Sequence, residues 1–132
     1  MPIDHIGLGV PDVDAAREYY DELLALVGFV REWETGYRAN DWYGAQIFLY
    51  RALEDGDYSR HRTGLQHLSF HVPTRADVHR VHRWAQERGH DVVHEPRLFP
   101  EYHPQFYAVF FLDMHGFMLE AVTYEVVAAA EA

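Results

Sequence analysis

The chain has 132 residues, 48% hydrophobic and 15% aromatic, which is enough apolar material for a folded core and too much for a disordered polymer. With 21 acidic side chains against 11 basic ones it carries a net charge of −10, which argues against nucleic acid or an anionic membrane as the main partner, since both need a basic footprint. There is no cysteine, so disulfides, thiolate metal sites and cysteine nucleophiles are excluded.

No leader pattern and no apolar run of membrane-spanning length is visible, so the expectation is one soluble, cytoplasmic domain over residues 1–132. Ten histidines are many for this length, and their placement directs the reading.

Residues 3–10 alternate, with Ile6, Leu8 and Val10 on one strand face and His5, Gly7 and Gly9 on the other. Val10-Pro11 closes the strand, because proline cannot donate to a ladder. Asp12 is placed to cap a helix over Val13 to Val27, whose apolar positions recur at helical spacing and which Gly28 ends. Strand patterning follows over 29–35, then two short strands over 37–51, broken at Asn40-Asp41 and Gly44.

The order then repeats. Leu68, Phe70 and Val72 form one face of a strand and His67, Ser69 and His71 the other, with Val72-Pro73 as the stop. Thr74 is placed to cap a helix over Arg75 to Arg88, ended by Gly89. Strand patterning resumes over 91–95, a loop holds LFPEYHPQ, and strands over 106–112 and 117–124 flank a turn at Asp113-Met114-His115-Gly116.

His67 follows His5 by 62 residues, and Val72-Pro73 follows Val10-Pro11 by the same 62. The chain therefore reads as α+β, two tandem βαβββ modules over about 3–53 and about 65–124, sharing a cupped mixed sheet. Neither half is large enough to bury both faces of its sheet, so the modules are expected to pack together or with a second chain.

Each histidine lies on the strand face turned away from the aliphatic, helix-packing one, beside small or polar neighbours that line a cavity better than they fill a core. Glu120 stands between Leu119 and Ala121 in an apolar strand, a position that is costly unless the carboxylate is paired, protonated or metal-bound. His5, His67 and Glu120 together supply three donors suited to a divalent metal with open positions: Fe, Mn, Ni, Co or Zn. Taken singly, each of the three is more often a hydrogen-bonded structural residue; their recurrence in two repeats reverses that balance.

The motifs D-H-I-G-L-G-V, Q-H-L-S-F-H-V and F-F-L-D-M-H-G-F-M-L-E-A-V resemble the vicinal oxygen chelate superfamily, also described as glyoxalase/bleomycin-resistance/extradiol-dioxygenase proteins. The resemblance covers Ile3 to about Tyr124. It implies a divalent metal cupped between the modules, with ligands at His5, His67 and Glu120, no organic cofactor, a small-molecule substrate with vicinal oxygens, and a homodimer. The glyoxalase-type fourth ligand, a glutamate, maps to Phe48, with Gln46 and Tyr50 on the same face as alternative oxygen donors.

The remaining set of two histidines and a glutamate is similar to that of extradiol dioxygenases, for which His103 and Tyr102 are the acid/base candidates here. Trp42, Phe48, His71 and Tyr107 are expected to contact substrate. A metal-free binding protein of the antibiotic-sequestering kind, using Trp42, Tyr43, Phe48 and Tyr107 on a cationic ligand, is the alternative reading.

Overall fold

The computed structural model describes residues 2–41, 43–54 and 56–128. Its element order is β1(His5–Val10), α1(Val13–Leu26), β2(Phe29–Trp33), β3(Gly36–Ala39), β4(Gln46–Arg51), β5(Leu68–His71), α2(Arg75–Glu87), β6(Val92–Leu98), β7(Tyr107–Leu112) and β8(Met118–Thr123). The chain divides into two compact units, Met1–Asp57 and Tyr58–Ala132, each holding one βαβββ module.

In the first unit the strands run in the order β1-β4-β3-β2, with β1 and β4 parallel and the other neighbours antiparallel. The parallel pair follows from the helical crossover between β1 and the rest of the unit. Asp12 caps α1 by accepting from the Ala15 N–H at 3.1 Å. The helix buries Ala16, Tyr19, Tyr20, Leu23 and Leu24, each larger side chain contributing roughly 1.5–3 kcal/mol of burial. Leu8, Val10, Ile47 and Leu49 are the buried strand partners, while His5, Gly7 and Gly9 stay exposed, as the alternation of β1 requires.

The second unit repeats the order as β5-β8-β7-β6. Thr74 and Asp77 form a reciprocal capping box at the start of α2, with both backbone contacts at 3.1 Å. Val78, Val81 and Ala85 are the buried face of that helix. Gly28 and Gly89 follow the two helices at φ +96 and +75, the left-handed backbone that ends a helix without a side-chain penalty.

One strand is longer than its sequence pattern. β6 continues past Glu95 through Pro96 to Leu98, so the loop begins only at Phe99. It lies at the sheet edge, and register shifts between Val92 and His94 and between His94 and Arg97 absorb the proline. Among the described residues no helix is long and apolar enough to cross a membrane.

Candidate functional site

In β8 of the second unit, the side chains alternate between two environments. Leu119, Ala121 and Thr123 are buried on one face, and Met118, Glu120 and Val122 lie on the other, where they line a cavity of about 630 Å³. Phe110 on β7 is the direct cross-strand partner of Glu120, and Ser69 on β5 is its partner on the other side. The aromatic residues Phe99, Tyr102, Phe106, Phe110 and Tyr124 supply much of the remaining wall. Among the described lining residues Glu120 is the one carboxylate, and none is Lys or Arg.

Glu120 is 2% exposed. Its Oε1 is 3.1 Å from His67 Nε2, and its buried Oε2 has no hydrogen-bond partner among the described residues. Burial pushes this carboxyl above the usual carboxylate range, and hydrogen bonding from Ser69 together with the neighbouring His67 imidazole pulls the other way. A desolvated carboxylate oxygen without a hydrogen-bond partner among the described residues is a candidate ligand atom, since most buried polar atoms are paired. His67 Nδ1 contacts Gln66 Oε1, which leaves Nε2 as the nitrogen facing Glu120.

These two donors suit a divalent cation, being one imidazole nitrogen and one carboxylate oxygen at the separation of neighbouring ligands, with a second oxygen free to bind or accept. Among the described residues no group of three or more His, Cys, Asp or Glu side chains gathers at one point. The second unit thus supplies two donors of the expected three.

His5 begins β1 in the first unit, its Nδ1 2.7 Å from Asp4 Oδ2 and its ring edge-on to Phe48 at 5.5 Å. Gln46 pairs with His5, Phe48 with Gly7 and Tyr50 with Gly9, so Gln46, Phe48 and Tyr50 share the histidine face of that sheet. The register Gly7–Phe48 is the counterpart of Ser69–Glu120, which places Phe48 where the second unit has its carboxylate.

The other expected site residues separate. Tyr102 lines the cavity at its rim and is 67% exposed. His103 is not a lining residue; it packs edge-on against Tyr124 at 5.2 Å, and its Nδ1 accepts from the Gln105 N–H at 3.0 Å. That bond leaves the remaining ring proton of a neutral His103 on Nε2, as a donor. His71 is not a lining residue either; its ring stacks on that of Tyr124 at 6.3 Å.

Tyr107 faces the helix instead, its hydroxyl 2.7 Å from His79 Nε2 and its ring under the Arg75 guanidinium at 4.5 Å. The structure therefore does not bring Tyr107 to the cavity. Trp42 lies outside the described residues.

Sequence reasoning missed His94, whose ring contacts Phe99 and Phe110 at 5.8 and 5.5 Å and which lines the cavity. It also missed Tyr124, although the run Met118, Glu120, Val122, Tyr124 carries the signal at every second position.

A family model for the Glyoxalase/Bleomycin resistance protein/Dioxygenase superfamily matches residues 2–121. The uncharacterized protein YqjT of Bacillus subtilis (strain 168) is 27% identical over 97 residues, 70% of this chain and 76% of that protein. The crystal structure of a glyoxylase/bleomycin resistance protein/dioxygenase domain from Frankia sp. EAN1pec is similar with a TM-score of 0.72 at 23% identity, covering 92% of this chain and 95% of that one. A glyoxalase/bleomycin resistance protein from Albidiferax ferrireducens T118 gives 0.74 at 16% identity over 93% and 99%. At these identities the two solved structures establish the fold alone.

Proposed function

The chain belongs to the Glyoxalase/Bleomycin resistance protein/Dioxygenase superfamily, and from that premise we propose that it is a divalent-metal-dependent enzyme of dioxygenase, lyase or isomerase type acting on a small substrate with vicinal oxygens. One observation carries the reading: His67 Nε2 and Glu120 Oε1 lie 3.1 Å apart, with Glu120 Oε2 buried and unpartnered. His67 and Glu120 would hold the ion. Fe, Mn, Ni, Co and Zn all suit this donor set. When bound, the metal supplies Lewis-acid polarisation of the substrate oxygens.

The chain's own residues then divide the remaining work. Phe99, Phe106 and Phe110 hold the apolar body of the substrate and exclude water, which strengthens every polar contact at the cavity floor. Glu120, whose Oε2 has no hydrogen-bond partner among the described residues, is suited to accept a proton from a bound substrate. Tyr102, a lining residue, would supply the hydroxyl that returns one. His103 positions the Tyr124 wall.

The test is metal content. Untagged protein equilibrated in turn with Mn(II), Fe(II), Ni(II), Co(II) and Zn(II) and then desalted is expected to retain about one equivalent of its preferred ion. His67→Ala and Glu120→Ala should retain none while keeping the wild-type circular dichroism. Wild-type protein that retains none of these ions overturns the reading.

A second reading, a metal-free binding protein for an uncharged or cationic aromatic ligand, is favoured by the aromatic cavity without Lys or Arg and by the net charge of −10. Stoichiometric binding of such a ligand, unaffected by chelator and by His67→Ala, would establish it instead.

A further inference from the structure

The polar side chains that the sheet sends into the cavity of the second unit stand at two ends. Ser69 lies on β5 and Glu120 on β8, whereas His94 lies on β6. The strand order β5-β8-β7-β6 puts Phe110 of β7 between them. The register is direct, with Ser69 paired to Glu120, Glu120 to Phe110 and Phe110 to His94. One row across the sheet thus carries a hydroxyl, a carboxylate, a benzyl ring and an imidazole.

At about 4.8 Å per strand, His94 and Glu120 are about 10 Å apart at the backbone. A single six-membered ring with polar groups on opposite edges, plus a hydrogen bond of about 2.9 Å at each end, has that length. The His94 ring meets Phe99 edge-on at 5.8 Å and Phe110 edge-on at 5.5 Å, and its nitrogens make no hydrogen bond among the described residues. A neutral imidazole offers one donor and one acceptor.

We propose that His94 is a specificity-determining residue, which hydrogen-bonds a polar substituent on the far edge of a planar ring whose near edge is held at Glu120. This deepens the reading above and rests on its placement of the substrate in this cavity. The substrate class is then a single-ring compound with its vicinal oxygens at the His67–Glu120 end and an uncharged hydroxyl, carbonyl or amide on the opposite edge. An anionic substituent would meet no Lys or Arg among the described lining residues. His94 is exposed, so water serves its nitrogens until a ligand covers it. A ring bare at that edge would strip this water and leave the imidazole unpaired, whereas a polar substituent replaces it.

The experiment compares two probes on the full chain, freed of metal with a chelator. 4-(Hydroxymethyl)phenol and 4-ethylphenol share the phenol hydroxyl and differ in the end of the second substituent, a hydroxyl in one and a methyl in the other. Each is titrated while amide nitrogen-15 shifts are followed. The readout is the ratio of the two dissociation constants, because the ethyl probe is the more hydrophobic on any protein.

His94→Phe, which keeps a ring against Phe99 and Phe110, is expected to shift that ratio about 3- to 10-fold against the hydroxymethyl probe. His94→Gln, which restores a donor and an acceptor, should return it toward the wild-type value. Glu120→Gln should weaken both probes alike and leave the ratio unchanged.

A ratio that is the same in wild type and His94→Phe, or that moves with Glu120→Gln instead, overturns the proposal. So does a His94→Gln ratio that stays at the phenylalanine value, since ring packing would then be the cause. Wild-type protein that binds neither probe also overturns it, while the metal retention measured above separately decides the metal-dependent reading.

Discussion

The two units carry the same strand order and matching registers, yet their histidine faces differ at one cross-strand pair. In the first unit that pair is Gly36 on β3 with Phe48 on β4; in the second it is Phe110 on β7 with Glu120 on β8. Each unit places one phenylalanine at this point, but on opposite members of the pair. Each histidine meets the phenylalanine of its own unit, His5 with Phe48 at 5.5 Å and His67 with Phe110 at 5.9 Å.

With the ring on the last strand, the first unit needs a glycine beneath it. A Cβ at Gly36 would come within 2.6 Å of the Phe48 ring and 3.0 Å of Trp33. With the ring on the middle strand, the second unit frees the last strand for a carboxylate and leaves a cavity around it. A duplicated scaffold thus gains a cavity lined by a carboxylate when one large side chain sits one strand over.

Making the second unit like the first at position 120 has the largest expected effect. Glu120→Leu removes a buried carboxylate with an unpartnered oxygen, and it leaves His67 hydrated because that ring is partly exposed. Metal uptake should disappear, while the metal-free protein gains about 1–3 kcal/mol in urea unfolding at neutral pH. Loss of stability instead would mean that the His67–Glu120 contact holds the fold rather than the site.

The converse change bears on the first unit. Gly36→Ala forces the Phe48 and Trp33 rings to shift and should cost about 1–3 kcal/mol. Phe48→Ala removes the obstacle, so the double variant should be much less destabilised than the two single costs predict. A coupling energy of at least about 0.5 kcal/mol in the double-mutant cycle is the expected result. Strict additivity would show that the glycine answers to the backbone and not to the ring.

How far the sequence revealed this depends on the strand. β1 and β5 alternate cleanly, so their histidine faces and helix faces were legible from residues alone, as were both helix caps at Asp12 and Thr74. The equivalence of Phe48 and Glu120 was legible too, because Gly44 and Gly116 each stand four residues before them.

β7 reads YAVFFL, apolar on both sides, and nothing in that pattern says which face meets the helix, so the contact of Tyr107 with α2 is not legible there. β6 carries a proline and two register shifts, which destroy the alternation that would have placed His94 on the cavity side.

The helix sides extend the comparison to a smaller effect. In the first unit the Tyr37 hydroxyl on β3 donates to Asp21 on α1 at 2.8 Å; in the second the Tyr107 hydroxyl on β7 meets His79 on α2 at 2.7 Å. Burial, the carboxylate acceptor and the Asp21 charge together hold the Tyr37 phenol well above its ordinary range.

At the second tie, burial lowers the His79 pKa below 6.5, with the charges of His82 and Arg83 adding to that effect. The unfolded chain then binds a proton at His79 more readily than the folded one, so stability falls as pH drops from about 7 through the depressed folded value. His79→Gln, which keeps a partner for the Tyr107 hydroxyl but cannot titrate, should flatten that decline. The measurement is the urea midpoint between pH 7.5 and 5, with Tyr37→Phe as the control that leaves the acid-side slope unchanged. An identical slope in wild type and His79→Gln would assign the decline to other histidines and sever this tie from the pH response.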